Sequence, residues 1–108
     1  MQFGLAIRGQ YASNQNIQTC FEELINECKA AEALGFDSIT KTSHYSTAPF
    51  QAFQQLPILA RLSAETSRVR LNAGIILLSL HKPLDIAEQL ATIDIMSGGR
   101  LICGVALG

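Results

Sequence analysis

Two histidines, His44 and His81, are the only imidazoles in the chain, and Cys20, Cys28 and Cys103 are its only thiols. An imidazole exchanges protons near neutral pH or hydrogen-bonds a bound ligand. His44 sits in the run Ser43-His44-Tyr45, and His81 stands just before Lys82-Pro83. The plainer role for either is to cap a backbone group, and His81 in particular suits the ordering of a turn. The thiols promise less. If Cys20 and Cys28 share one helix, roughly 12 Å of rise separates them, whereas a disulfide needs less than about 7 Å. Free thiols in a reducing compartment are expected. With no C-x-x-C or H-E-x-x-H spacing, no metal site is expected.

Ala73-Gly74 is the second point of interest, because it lies inside an apolar run. Glycine there weakens a strand and often marks a bulge or the close approach of a ligand. Two small residues in succession leave room for a flat ring against the backbone, or for close packing within a sheet. No G-x-G-x-x-G or Walker A pattern is present, so a dinucleotide or P-loop site has no local support. Asp37 and Asp94 suit hydrogen bonds to nearby backbone, and no second carboxylate stands at a spacing that suggests paired acid and base work.

Alternating elements must position these groups. Gln2–Arg8 reads as a strand, followed by a polar loop. Ile17, Phe21, Leu24, Ile25, Cys28, Ala31 and Leu34 recur at three- and four-residue steps and predict a helix, with Asn16 as its N-cap and Gly35 just past its end. Phe36–Lys41 reads as a second strand. A long connection from Thr42 to about Leu56 carries His44 and leads to a helix with Pro57 in its first turn. Val69–Leu80 reads as a third strand, Pro83 opens a third helix that ends at Gly98-Gly99, and Arg100–Leu107 reads as a fourth strand. The order β-α-β-α-β-α-β predicts a right-handed parallel α/β arrangement, whose functional groups gather at the carboxyl ends of the strands.

The chain of 108 residues is 48% hydrophobic and 16% charged, with a formal net charge of −1. That apolar content excludes a disordered tail, and the near-zero charge offers no basic field for nucleic acid. The most apolar window, Ala73–Leu80, falls far short of the roughly 20 residues of a spanning helix, so no membrane insertion is expected. The opening MQFGLAIRGQ has no positive leader, and a cytoplasmic protein is the expectation. No repeat, linker or composition shift divides the chain. A fourth apolar strand without a covering helix suggests the N-terminal part of a (β/α)8 barrel over residues 1–108, since a whole barrel takes about 250 residues. The alternative is a complete four-stranded domain that leaves this surface open.

Taken together, MQFGLAIR, AEALGFDSI leading to SHY, and TSRVRLNAGIILLSLHKPLDIAEQLATIDIMSGGRLICGVALG resemble the bacterial luciferase-like family of flavin-dependent monooxygenases. The resemblance implies a TIM barrel that binds reduced flavin at the carboxyl ends of its strands. Some members use FMN supplied by a separate flavin reductase, related ones use the deazaflavin F420, and many are dimers. His44 matches the family's active-site histidine. Ala73 and Gly74 match a strand-three bulge that holds a non-proline cis peptide beneath the flavin ring, and Ala106 and Leu107 match positions that approach the flavin. Two departures stand out: Ser43 where relatives often carry an acid, and GVALG where they often carry G-V-G-x-G. The family's phosphate-binding residues lie in the second half of the barrel. The implied activity is oxygenation of a small organic substrate, with F420-dependent hydride transfer or a non-catalytic half-barrel module as alternatives.

Overall fold

The apolar stripe beginning at Ile17 forms α1 (Ile17–Ala33) in the computed structural model, which describes residues 1–108. Asn16 caps it, its side chain accepting from the Thr19 amide at 3.1 Å. Gly35 ends it at φ +91°, a conformation that costs glycine no Cβ clash. The remaining elements are β1 (Gly4–Ala6), β2 (Ser38–Lys41), α2 (Gln55–Glu65), β3 (Arg70–Leu77), α3 (Pro83–Met96) and β4 (Leu101–Ala106). The four strands pair in parallel in the order β1-β2-β3-β4. The expected β-α-β-α-β-α-β succession is therefore present, with every carboxyl end on one edge.

Each strand is shorter than its apolar run. The longest stretch lost from one end is in β3, expected to continue to Leu80. The chain leaves the sheet after Leu77, whose partner Ala106 ends the pairing with β4, and Leu78–Leu80 form a 3₁₀ turn with no buried residue. Hydrophobic side chains alone cannot hold a strand that has run out of backbone partners. No helix is long and apolar enough to cross a membrane.

Burial alternates along the strands. Ile39, Lys41, Leu71, Ala73 and Ile76 are buried on the face covered by the helices, where they join Leu24 and Cys28 of α1, Leu59 and Leu62 of α2, and Ile86 and Ile93 of α3. Their neighbours Ser38, Thr40, Asn72 and Gly74 form the other, inner face, which is small and polar, and there Asn72 Nδ2 donates to Thr40 Oγ1 at 3.1 Å. Lys41 is the exception on the covered face. It is 0% exposed, and its Nζ donates to the Thr42 carbonyl at 3.0 Å. Burial holds this amine below its ordinary value of 10.5, since a low-dielectric surrounding disfavours the charged form.

Charged side chains pin the amino-terminal edge. The Glu32 carboxylate accepts the backbone N–H groups of Ser67, Arg68 and Val69 at the entry to β3. The Arg100 guanidinium donates to the carbonyls of Ser63, Thr66, Val69 and Ser97. Asp37 accepts from the Phe3 amide at 2.7 Å and Asp94 from the Leu101 amide at 3.1 Å, the backbone roles expected of both. Desolvation pushes the Glu32 carboxyl up, but its backbone donors together with Arg100 outweigh this and hold it below 4.5.

Two stability measurements follow from these groups. Unfolded Lys41 takes up its proton below pH 10.5, while the folded form resists protonation, so stability falls as pH drops from 10.5 toward the lower folded value. Lys41→Met should abolish that slope and raise stability near neutral pH by on the order of 1 kcal/mol in denaturant titrations. Glu32 has a dependence of the same sign at lower pH: its contribution is complete above 4.5 and is lost as pH falls through the lower folded value. Glu32→Gln should lower the thermal midpoint at pH 7 by about 4–8 °C, and the difference from wild type should shrink in acid.

Candidate active site

The carboxyl ends of the strands are stitched together by neutral side chains. After β1, Tyr11 exchanges two backbone hydrogen bonds with Gln51, each 2.8 Å long. Gln51 Nε2 then donates to the carbonyls of Ala12 and Gln15, both at 3.0 Å. Tyr11 and Phe21 each form a T-shaped pair with the Phe53 ring, with centroids 5.5 and 5.8 Å away. The long connection between β2 and α2 is thus fastened to the loop after β1. On the far side, Ser79 Oγ donates to the Leu107 carbonyl at 2.8 Å, joining the end of β3 to the end of β4.

His44 is held within this frame. Its Nε2 lies 3.1 Å from Thr42 Oγ1, which leaves Nδ1 free to serve as donor or acceptor according to the tautomer. Gly9 supports the ring from β1's side. A Cβ at that position would collide with the imidazole and would lie 2.9 Å from Thr42 Oγ1. His44 and His81 line one cleft of about 270 Å³, together with Ser43, Tyr45, Gln54, Gln55 and Gln89. The main chain of His81 also closes the 3₁₀ turn by donating to the Leu78 carbonyl. A more open groove of about 550 Å³ runs between α2 and α3, but neither histidine reaches it.

Toward the same carboxyl edge, the inner face is uncharged around β3. The pairing of β3 with β4 shifts register between Ala73 and Ile76, so a bulge falls at the glycine singled out from the sequence. The Gly74–Ile75 peptide within it is cis. A Cβ on Gly74 would approach Asn72 and Thr40 to 3.0 Å, and one on Gly104 would lie 3.4 Å from the Ala73 carbonyl and from Ile75. Around the bulge this face presents Ala6, Thr40, Ile75, Gly104 and Ala106, with no carboxylate or ammonium among them. Ile75 is 41% exposed and Leu107 82%. Ala73 differs from its neighbours. Its methyl is 0% exposed on the helix-covered face, so only its backbone reaches the inner one.

The thiols lie apart from this edge's chemistry. All three are free. Burial, with Glu27 adding to it, pushes the Cys28 thiol up to about 12, and burial also raises Cys103, so neither supplies a thiolate at neutral pH. No group of three or more His, Cys, Asp or Glu side chains gathers to hold a metal. Gln51, Gln55 and Ser79 were not anticipated. Their partners are backbone carbonyls distant in sequence, and no local spacing announces such bonds.

Comparison with known proteins places this geometry. The profile of the family described as luciferase-like monooxygenase matches residues 1–108. The flavin-dependent trigonelline monooxygenase, oxygenase component, of Acinetobacter baylyi is 30% identical over 109 residues, covering 100% of this chain and 30% of that protein. The oxygenating constituent of 3,6-diketocamphane monooxygenase from Pseudomonas putida, solved in complex with FMN, superimposes with a TM-score of 0.89 at 19% identity, over 100% of this chain and 30% of its own. The coenzyme F420-dependent tetrahydromethanopterin reductase of Methanopyrus kandleri gives a TM-score of 0.77 at 26% identity, over 99% of this chain and 27% of its own. The chain thus spans about three tenths of the proteins it matches. It belongs to the luciferase-like monooxygenase family.

Proposed function

We propose that these 108 residues are the N-terminal strands and helices of a (β/α)8 barrel enzyme that uses reduced FMN and O₂ to oxygenate a small organic substrate. One observation carries the reading: His44 and the uncharged bulge at Gly74-Ile75 sit on the same carboxyl-terminal edge. A flat, largely apolar isoalloxazine fits a surface of Gly74, Ile75, Gly104 and Ala106, which has neither bulk nor charge to repel it. Leu107, beside it, supplies an apolar border. The flavin-dependent relative and the FMN-bound structural neighbour support the same cofactor. The relative's designation as an oxygenase component supports a separate flavin reductase as partner.

When bound, reduced flavin supplies the electrons for oxygen chemistry, and the protein supplies placement, dryness and protons. Ile75 and Leu107 exclude water from the ring's surroundings. Thr42 holds the plane of His44 through Nε2, so that Nδ1 can hold or deliver a proton in the cleft. Ser43 adds a hydroxyl with no fixed charge where relatives often carry an acid, leaving proton transfer to the imidazole. The F420-dependent neighbour favours a second reading, hydride transfer to or from a deazaflavin on the same surface.

The full-length protein decides between these readings. With reduced FMN it should consume O₂ in step with substrate oxidation. Consumption of none, together with substrate-dependent turnover of F420, would establish the second reading. In the oxygenating enzyme, His44→Ala should lower kcat by about 10²- to 10⁴-fold while flavin affinity changes far less. Unchanged kcat would remove His44 from the reaction. Gly9→Ala, which keeps the imidazole but displaces it, should reduce kcat in the same direction and shift the His44 ring signals in NMR spectra.

A further inference from the structure

We infer that Gln55 is a positioning residue, clamping the end of β2 that leads to His44 against the Gly74–Ile75 bulge so that both meet a bound flavin as one unit. The inference rests on the flavin reading above for its purpose, but its geometry stands independently. Gln55 is 6% exposed at the start of α2. Its Nε2 donates to the Lys41 carbonyl at 2.6 Å and to the Ile75 carbonyl at 3.2 Å.

Those two carbonyls lie where the sheet comes apart. The pairing of β2 with β3 ends at Lys41 and Ala73, and just beyond it the register of β3 against β4 shifts. Past this point the β2 chain turns out toward His44 while β3 passes through its bulge, with no further ladder bonds between them. A primary amide spans the gap because it carries two N–H donors on one atom. Methionine of similar length donates nothing, and an ionised carboxylate would face both carbonyl oxygens with acceptors only. The amide is itself steady, since Ile58, Leu59 and Leu62 anchor α2 in the core. Gln55 also lines the cleft that contains His44. Its two bonds therefore fix where the end of β2, three residues before His44, stands against the bulge.

The test compares wild type, Gln55→Met and Gln55→Glu in the full-length protein, read by His44 ring ¹⁵N shifts without flavin, FMN binding, and separate kcat and KM. A positioning role requires displaced His44 signals in Gln55→Met before any flavin is added. It also requires kcat to fall on the order of 10²-fold, as for an ångström-scale misplacement, with KM for substrate little changed. Gln55→Glu should deviate from wild type at neutral pH and return toward it, compared at matched pH, as acid protonates the new carboxyl and restores one donor. Wild-type His44 shifts, FMN affinity and kcat in both variants, accompanied only by a lower thermal midpoint, would overturn the inference and leave Gln55 a purely structural cap. Should Gln55→Met fail to fold, the acid-dependent recovery of Gln55→Glu decides alone, and its absence refutes the role. If wild type binds no FMN, the flavin reading fails, while the His44 shifts still judge the clamp.

Discussion

Burial of one face of a parallel sheet beneath three helices is the constraint on which the rest of this structure depends. Parallel strands need long crossovers, and helices supply them while covering the apolar face. Two consequences follow without further information from the sequence. Every carboxyl end lies on one edge, so the loops after β1, β2 and β3 and the end of β4 become neighbours. The uncovered face is then free to carry residues that a core would reject, and here it carries Ser38, Thr40, Asn72, Gly74 and Gly104.

The two edges are secured by different chemistry. At the amino edge, ionised groups meet the backbone: Glu32 gathers three amides and Arg100 several carbonyls. Such charge-assisted bonds are stronger than neutral ones and make a firm base. At the carboxyl edge, amides and a hydroxyl do the joining, through Gln51, Gln55 and Ser79. Neutral clamps hold loops in place without imposing a fixed field on whatever binds between them. Among them stands the half-buried His44, held by the Thr42 hydroxyl.

The parts of the fold legible in the sequence were those encoded by local patterns. Asn16, the stripe from Ile17 to Leu34 and Gly35 delimit α1 because capping, periodicity and positive φ are short-range effects. Leu78–Leu80 misled because hydrophobicity does not reveal where backbone partners run out. Ala73 and Gly74 looked equivalent as small residues, yet side chains alternate across a strand, so the alanine methyl enters the core while the glycine faces inward. Gln55 and Lys41 were opaque for another reason. The Gln55 partners lie 14 and 20 residues away and are main-chain carbonyls, which any residue type provides. The significance of Lys41 comes from complete burial, which the polar end of a four-residue strand does not suggest.

The distribution of stability is itself an argument about where function lies. A glycine within β3 and a lysine buried without a carboxylate partner each cost folding free energy, and both sit toward the carboxyl edge. The groups that most firmly tie backbone to side chain sit at the other. A fold selected for stability alone has no reason to concentrate its weak choices at one end, whereas a binding edge has several. Glycine lets a ligand approach the backbone, and an uncovered apolar side chain such as Ile75 gains by being covered when a ring lies on it. The buried lysine fits the same asymmetry. Its amine can reach the Thr42 carbonyl only from the covered side, so it braces the peptide immediately before the His44 segment from behind while Thr42 Oγ1 holds the ring from the front. Bracing from both sides places the imidazole more exactly than either contact alone, at a cost that the clamps on the amino edge offset.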